Sequence, residues 1–188
     1  MNTEMPTQWA IQLPEWVSVT VAQHGPVFSG DTAKMRLAIA LANGNIDSEA
    51  GGPFGAAVFD DANDALIAVG VNLVFASGAS LAHAEMVALT LAQARLGTPD
   101  LSGYRLTLVT SAEPCAMCLG ALPWSGISRV ICGARDEDVR AVGFDEGSKP
   151  QAWINALARR NISVVQDVLR SEATQVLQRY AEQEGRIY

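Results

Sequence analysis

A chain of 188 residues has the length of one domain and can bury roughly 70% of its unfolded surface, so no disulfide or structural metal is needed to hold it together. Its 20 acidic and 13 basic side chains leave a formal charge of −7, which disfavours nucleic-acid binding, because polyanions are held by basic faces. The three cysteines are an odd set, the start MNTEMPTQWA carries no basic-then-apolar leader, and no apolar run reaches about 18 residues; the expectation is a cytoplasmic chain with reduced thiols and no membrane partner.

Residues 1–30 read as an irregular N-terminal extension punctuated by Pro6, Pro14, Gly25 and Pro26, with Trp9 and Trp16 fastening it to the domain or to a partner subunit. From Asp31, a plausible N-cap, Met35, Ala38, Ile39 and Ala42 form an apolar stripe at helical spacing, closed by Asn43-Gly44. The turn GGPFG (51–55) leads into AAVFDD (56–61), and a short polar turn leads on into LIAVGVNLV (66–74), which reads as a hairpin. A helix over 80–96 is capped by Ser80 and stopped by Gly97-Thr98-Pro99. YRLTLVT (104–110) is a strand, and CAMCLGAL (115–122) is a helix begun by Pro114, where a missing N–H does least harm. RVICGA (129–134) is a strand, two or three helical segments follow, ISVVQ (162–166) is the last strand, and a helix from about Ser171 to Glu182 buries Leu169, Ala173, Val176, Leu177 and Tyr180. Strands joined through helices imply a sheet covered on both faces. The expected fold is α/β, a three-layer α/β/α sandwich on a five-stranded mixed sheet, with residues 31–188 as one domain.

Chemistry concentrates in two stretches. LAHAEMVALT (81–90) sets His83, one of only two histidines, two residues before Glu85 in an otherwise apolar run. SAEPCAMCLG (111–120) holds Cys115 and Cys118, which are i and i+3 on the first turn of a helix and share a face. One nitrogen and two sulfurs suit zinc, and a helix N-terminus favours thiolate over thiol. Three protein ligands leave a fourth position for water, the mark of a catalytic rather than a structural zinc. Glu85 then fits as the carboxylate that is not a ligand but relays the proton of that water. Positions i and i+2 diverge on a helix, so the arrangement needs His83 at the helix start, where it can turn inward.

Each half alone has an ordinary reading. A single histidine near a helix start is most often a satisfied core residue. A single C-x-x-C can be a redox pair or half of a structural zinc site, whose fourth ligand could come only from Cys132 or His24, neither with paired spacing. Together, His-x-Glu followed by Pro-Cys-x-x-Cys matches the signature of zinc deaminases.

On these residues the chain resembles the cytidine-deaminase-like superfamily. Further stretches resemble its guanine deaminase branch: GGPFGAAV (51–58), GVNLV (70–74), AHAE (82–85), TSAEPCAMCLGALPWSG (110–126) and GFDEG (143–147), a likeness covering about residues 31–188. The resemblance implies one zinc ion held by His83, Cys115 and Cys118, with Glu85 as proton shuttle. It implies that Asn72 hydrogen-bonds the base, that Phe54 stacks on it, that Trp124 lines the pocket, and that Ala84 is a further substrate contact. An acidic residue of GFDEG, Glu146 ahead of Asp145, approaches the exocyclic amino group. Tyr188 can reach the site, within the chain or across a domain-swapped dimer, and the assembly expected is a homodimer. Beside these, RDEDVR (135–140) reads as a solvated face, Cys132 as an inert buried thiol and His24 as a surface residue.

The implied reaction is hydrolytic deamination of a purine, guanine to xanthine and ammonia. Adenosine in tRNA, cytosine or cytidine, and aminated s-triazines are alternative substrates; the charge of −7 and the acidic GFDEG stretch weigh against tRNA. A riboflavin-pathway deaminase is fused to a reductase, for which there is no room in this chain. A non-enzymatic scaffold with a structural zinc would have no use for Glu85.

Overall fold

The structure, a computed structural model, describes residues 7–25 and 28–188; Pro6 and Pro26 of the expected extension lie outside them. In chain order it has α1 (Glu15–Gln23), α2 (Gly30–Asp47), β1 (Gly55–Asp60), β2 (Ala65–Val71), α3 (Val74–Ser77), α4 (Ala84–Leu96), β3 (Leu106–Ala112), α5 (Ala116–Ser125), β4 (Arg129–Ala134), α6 (Asp136–Ala141), α7 (Trp153–Ala158), β5 (Ser163–Val165) and α8 (Arg170–Glu182).

The strands form one mixed sheet in the order β2-β1-β3-β4-β5, as expected from a hairpin followed by strands joined through helices. β1 runs antiparallel to both neighbours, with Ala57 opposite Val69 and Val109, whereas β3, β4 and β5 are parallel. Successive side chains of β1 enter opposite cores. Ala56 and Val58 pack with Leu108 and Val130 beneath α4, α5 and α7; Ala57 and Phe59 pack with Val109 and Ile131 beneath α1 and α2. A third cluster joins α2, α6 and α8 around Ala112 and Ala134. All of LTLVTSA in β3 is buried, which is why it shows no clean alternation of apolar and polar residues: a strand covered on both faces has no wet side.

The N-terminal segment departs from the irregular extension expected. α1 forms, and the Trp16 ring lies against α2 at Gly44, where an added Cβ would come within 2.5 Å of it. Asn43-Gly44 therefore does not close α2; the helix continues to Asp47, and the glycine is a notch for the indole rather than a stop. Trp9 is more than half exposed and is not buried against this chain's own domain. Ser29, not Asp31, occupies the N-cap of α2, and Asp31 instead takes the Arg129 guanidinium in two hydrogen bonds of 3.0 and 2.6 Å. β2 ends at Val71 because the chain turns into α3 at Val74.

Two further shifts of boundary carry the function. α4 begins at Ala84, with His83 and not Ser80 at its N-cap. α5 begins at Ala116, so Cys115 is its N-cap and Pro114 lies one residue outside it. The start of β1 and the ends of β2, β3 and β4 share one edge of the sheet, since Gly55 faces Val71 and Ala112 faces Ala134. Crossover connections leave helix N-termini at that edge, the usual place for ligands on an α/β sheet.

Candidate active site

His83 has extended backbone at φ −68°, ψ 155°, and Cys115 likewise at φ −64°, ψ 173°. Neither side chain is on the helical barrel, so each swings toward the space between the two helix starts. This resolves the i, i+2 difficulty: only Glu85 is a helical residue, and His83 is free to converge on it. His83 Nδ1 lies 3.5 Å from Cys115 Sγ, and the ligand atoms of His83, Cys115 and Cys118 all lie within 4.8 Å of one another. Nitrogen with two sulfurs, gathered at two helix N-termini that favour anions, is a donor set that fits one zinc ion.

The electrostatics of the group are those of a metal site. The Cys118 hydrogen bond, with help from His83, holds the Cys115 thiol down at about 4. The same shared hydrogen bond and burial push Cys118 well up. Burial pulls His83 down, but its bond to Cys115 and the charges of Glu85, Cys115 and Glu146 raise it on balance. Glu85 is buried, and that burial, reinforced by the Cys115 charge, raises its carboxyl above the usual carboxylate range.

A cavity of about 20 Å³ adjoins the group, walled by His83, Glu85, Cys115, Phe54, Asn72, Glu113, Phe144, Asp145, Glu146 and Tyr188. That is room for about one water. Asn72, just past β2, is fully buried; its Oδ1 accepts the N–H of Gly52 and of Val74, both at 3.3 Å, and its Nδ2 donates to Tyr188 Oη. Tyr188, the last residue of the same chain, meets the rings of His83, Phe144 and Phe75 edge-on at 5.8, 5.5 and 5.3 Å. Burial pushes its phenol above the ordinary tyrosine value, so it stays neutral beside His83. Phe54 meets Phe144 edge-on at 5.0 Å. A separate basin of about 630 Å³ is bordered by Asp47, Phe75, Arg179 and Arg186, and Phe75 meets the Tyr188 ring that walls the site.

The two acidic residues of GFDEG part company. Glu146 is buried, whereas the Asp145 side chain is 84% exposed and accepts the Gly147 N–H at 2.8 Å. Burial raises Glu146 to about 8, with the Cys115 and Glu85 charges adding to it and Lys149 opposing. Its Oε2 is buried with no hydrogen-bond partner among the described residues.

Other expected residues fall elsewhere. Trp124 is 81% exposed and lines a separate surface recess with Met86, Thr90 and Gln93, so it does not wall this chain's own cavity. The reason is helical phase: Trp124 sits near the end of α5 on the side away from the buried Cys118, Leu119 and Leu122. Ala84 is fully buried beneath β2, its carbonyl packed so closely on Gly70 that a Cβ there would come within 2.1 Å of it. It supports the metal helix from behind and is not part of the cavity wall. Cys132 is buried in β4 with its thiol pushed up by burial, as an inert thiol would be.

Two residues that sequence reasoning passed over stand at the site. Glu113 is a buried wall residue; it accepts hydrogen bonds from Gln166 Nε2 and, at 3.2 Å, from the Asp136 N–H. Its position directly before Pro114-Cys115 was the available signal. Lys149 is 8% exposed and has its ammonium among Asp136, Glu146 and Glu113, at 2.5, 3.8 and 3.9 Å. No spacing rule points to it.

The sheet order, the two helix starts and the His/Cys/Cys group with a neighbouring buried glutamate define a zinc-dependent deaminase. Residues 29–134 match the model of the cytidine and deoxycytidylate deaminase zinc-binding region, and the chain belongs to that family. It is 39% identical over 112 residues to the guanine deaminase of Bacillus subtilis, a match covering 60% of this chain and 69% of that one. A tRNA-specific adenosine deaminase of Haemophilus influenzae is 36% identical over 152 residues, covering 78% of this chain and 80% of the relative. Among solved structures, a guanine deaminase from Nitrosomonas europaea superposes with a TM-score of 0.88 at 42% identity, over 95% of this chain and 99% of that one. A structure in complex with 2,6-diaminopurine superposes with a TM-score of 0.87 at 43% identity, over 95% of each. No helix among the described residues is long and apolar enough to cross a membrane.

Proposed function

We propose that this protein hydrolyses the amino group of a purine base, guanine plus water giving xanthine and ammonia. The observation that carries the reading is the pair Glu85 and Glu146: two buried carboxyl groups with raised pKa values walling one aromatic-lined cavity beside the His83, Cys115 and Cys118 donors. Hydrolytic deamination moves protons twice, once from water to a ring nitrogen and once onto the departing amine, so it needs carboxyl groups able to hold a proton near neutral pH.

Zinc held by His83, Cys115 and Cys118 supplies a Lewis acid that brings the pKa of a water toward about 7. Glu85 takes the proton of the attacking water on its carboxylate and delivers it to the ring nitrogen beside the amino-bearing carbon. Glu146, its carboxyl raised by burial to about 8 and its Oε2 without a partner, gives a proton to the amine as ammonia leaves; the C–O–H proton released as the new carbonyl forms passes to the Glu85 carboxylate, and exchange with water resets both carboxyls. Asn72 is oriented by two backbone donors on its oxygen, so its amide N–H₂ faces the cavity and exchanges Tyr188 Oη for an acceptor on the base. Phe54 and Phe144 wall the ring of the base. The cavity as it stands has room for about one water, so Tyr188 must leave Asn72 to admit the base and then closes against it, excluding bulk water. Asp145 stays at the rim.

The solved relative bound to 2,6-diaminopurine supports a purine. The charge of −7 and a cavity closed in by Tyr188 weigh against a tRNA loop, despite the tRNA-specific relative. The same reading takes residues 31–188 as the catalytic unit in a cytoplasmic homodimer. The exposed Trp124, beside Met86, offers an apolar face for a second copy.

The test is ammonia release by the zinc-loaded protein from guanine, guanosine, adenine, adenosine, cytosine, cytidine, ammeline and tRNA. Strong release from guanine is the expected result. Release from tRNA or a pyrimidine instead would overturn the substrate while leaving the metal chemistry standing.

A further inference from the structure

The segment that carries Glu146 has no secondary structure of its own, and its position is set by where it is tied. Three observations place the ties at the start of the metal helix. The Ala116 N–H donates to the Glu146 carbonyl at 2.9 Å. Gly147 adopts φ +67°, and a Cβ there would come within 2.9 Å of the Ala116 Cβ, so the backbone lies directly against α5. Lys149 Nζ donates to the Pro114 carbonyl at 3.1 Å. The Glu146–Lys149 turn is thus stapled at both ends to residues 114–116, around Cys115.

The Lys149 side chain is also largely out of solvent, and an ammonium so placed is stable only where its charge is paired and its N–H groups are satisfied. Asp136 at 2.5 Å provides the close partner. Glu113 and Glu146 lie just outside hydrogen-bonding distance, at 3.9 and 3.8 Å. The ammonium therefore stands at the centre of three carboxyl groups, two of which belong to the cavity wall, and it is fixed by the third and by a backbone carbonyl. Glu146 Oε2 makes no bond to it and is left for the cavity.

We propose that Lys149 is a positioning residue of this site: anchored by Asp136 and the Pro114 carbonyl, it ties the turn that carries Glu146 to the start of α5 and so keeps the Glu146 carboxyl at the cavity wall, within reach of a leaving amine. It touches no reacting atom and acts through Glu146. The inference rests on the reading of the site as a purine deaminase centre, and it assigns a function to a cation that the reading leaves unused.

The experiment is a double-mutant cycle on guanine turnover with K149M, E146Q and the pair together, zinc content being measured for each. K149M keeps the aliphatic stem and removes the charge. The expected result is a kcat lower by about 10- to 100-fold, the range for a misplaced catalytic group, with KM within about threefold and zinc still bound. The double variant is expected to be no slower than E146Q alone, because a residue acting only through Glu146 has nothing left to position. K149R should recover most of the loss. Losses that multiply in the double variant, or a K149M protein as fast as wild type, would overturn the proposal. If wild type were inactive on guanine, the deaminase reading would fail first, and a crystal structure of K149M would decide the positioning role without turnover. A Glu146 carboxyl displaced from the wall is expected there, and one unmoved would sink the idea.

Discussion

Two walls of one cavity are built in opposite ways. On one side His83, Glu85, Cys115 and Cys118 stand on the first residues of α4 and α5, two helices seated on the sheet through Ala88, Leu119 and Leu122. On the other side Glu146 stands on irregular backbone between α6 and α7, and Tyr188 on the last residue of the chain. The first wall is rigid because packed elements carry it. The second depends on a few ties across the fold, from Lys149, Ala116 and Asn72. On the proposed function, chemistry that must hold a metal sits on the rigid wall, and the groups that would admit and release a substrate sit on the tied one.

If the contrast is sound, damage to the rigid wall is the most severe. Glu85→Gln should lower kcat by about 10³-fold or more while zinc content by metal analysis is unchanged; retained turnover would remove Glu85 from the proton path. Glu146→Gln, on the tied wall, should cost about 10²-fold in kcat, again with zinc retained. An effect larger than that of Glu85→Gln would invert the comparison. Tyr188→Ala opens the cavity. It should raise KM for guanine by about tenfold, the loss expected when one closing contact of about 1.4 kcal/mol disappears, with zinc binding untouched. A lowered KM would mean that Tyr188 only competes with substrate.

Smaller effects concern stability. Gly44→Ala forces a methyl group into the Trp16 ring and should destabilise the fold by about 1–3 kcal/mol in urea melts, without changing kcat. Glu146 also gives a pH signature in protein stripped of metal. The folded protein holds the Glu146 proton up to about 8, while the unfolded chain releases it near 4.5. Between those values the folded state binds more protons, so the Glu146 contribution to stability is complete below about 4.5 and is lost as pH rises toward about 8. Urea midpoints measured at pH 5 and pH 8 should therefore fall further for wild type than for Glu146→Gln. Equal falls would show that the carboxyl is not held protonated.

The reading of the rigid wall came from local spacing. Two cysteines three apart behind a proline, and a histidine two before a glutamate, are short-range patterns that survived even though both helix starts were misplaced, at Ser80 instead of His83 and at Pro114 instead of Cys115. The zinc set needs the side chains to converge, and an N-cap does that as well as a first helical turn. The tied wall was legible only where a resemblance pointed, to Asn72, Phe54, Glu146 and Tyr188. Trp124, suggested in the same way, faces solvent in this chain because of its place around α5. Glu113 offered only its place directly before Pro114-Cys115, and Lys149 carried no pattern at all: an ion pair between residues 36 apart in sequence leaves no periodicity to read.

The sequence by itself determined the layered α/β class, the five strands, and the nitrogen and two sulfurs that take zinc, because hydrophobic period, turn residues and motif spacing are all local. Only the tertiary structure decided that α2 runs on through Asn43-Gly44, that Glu146 and not Asp145 turns inward, and that Lys149 ties that loop to the metal helix. Each of these depends on what packs against the residue from far along the chain: an indole beside Gly44, the start of α5 beside Gly147, and three carboxyl groups around one ammonium.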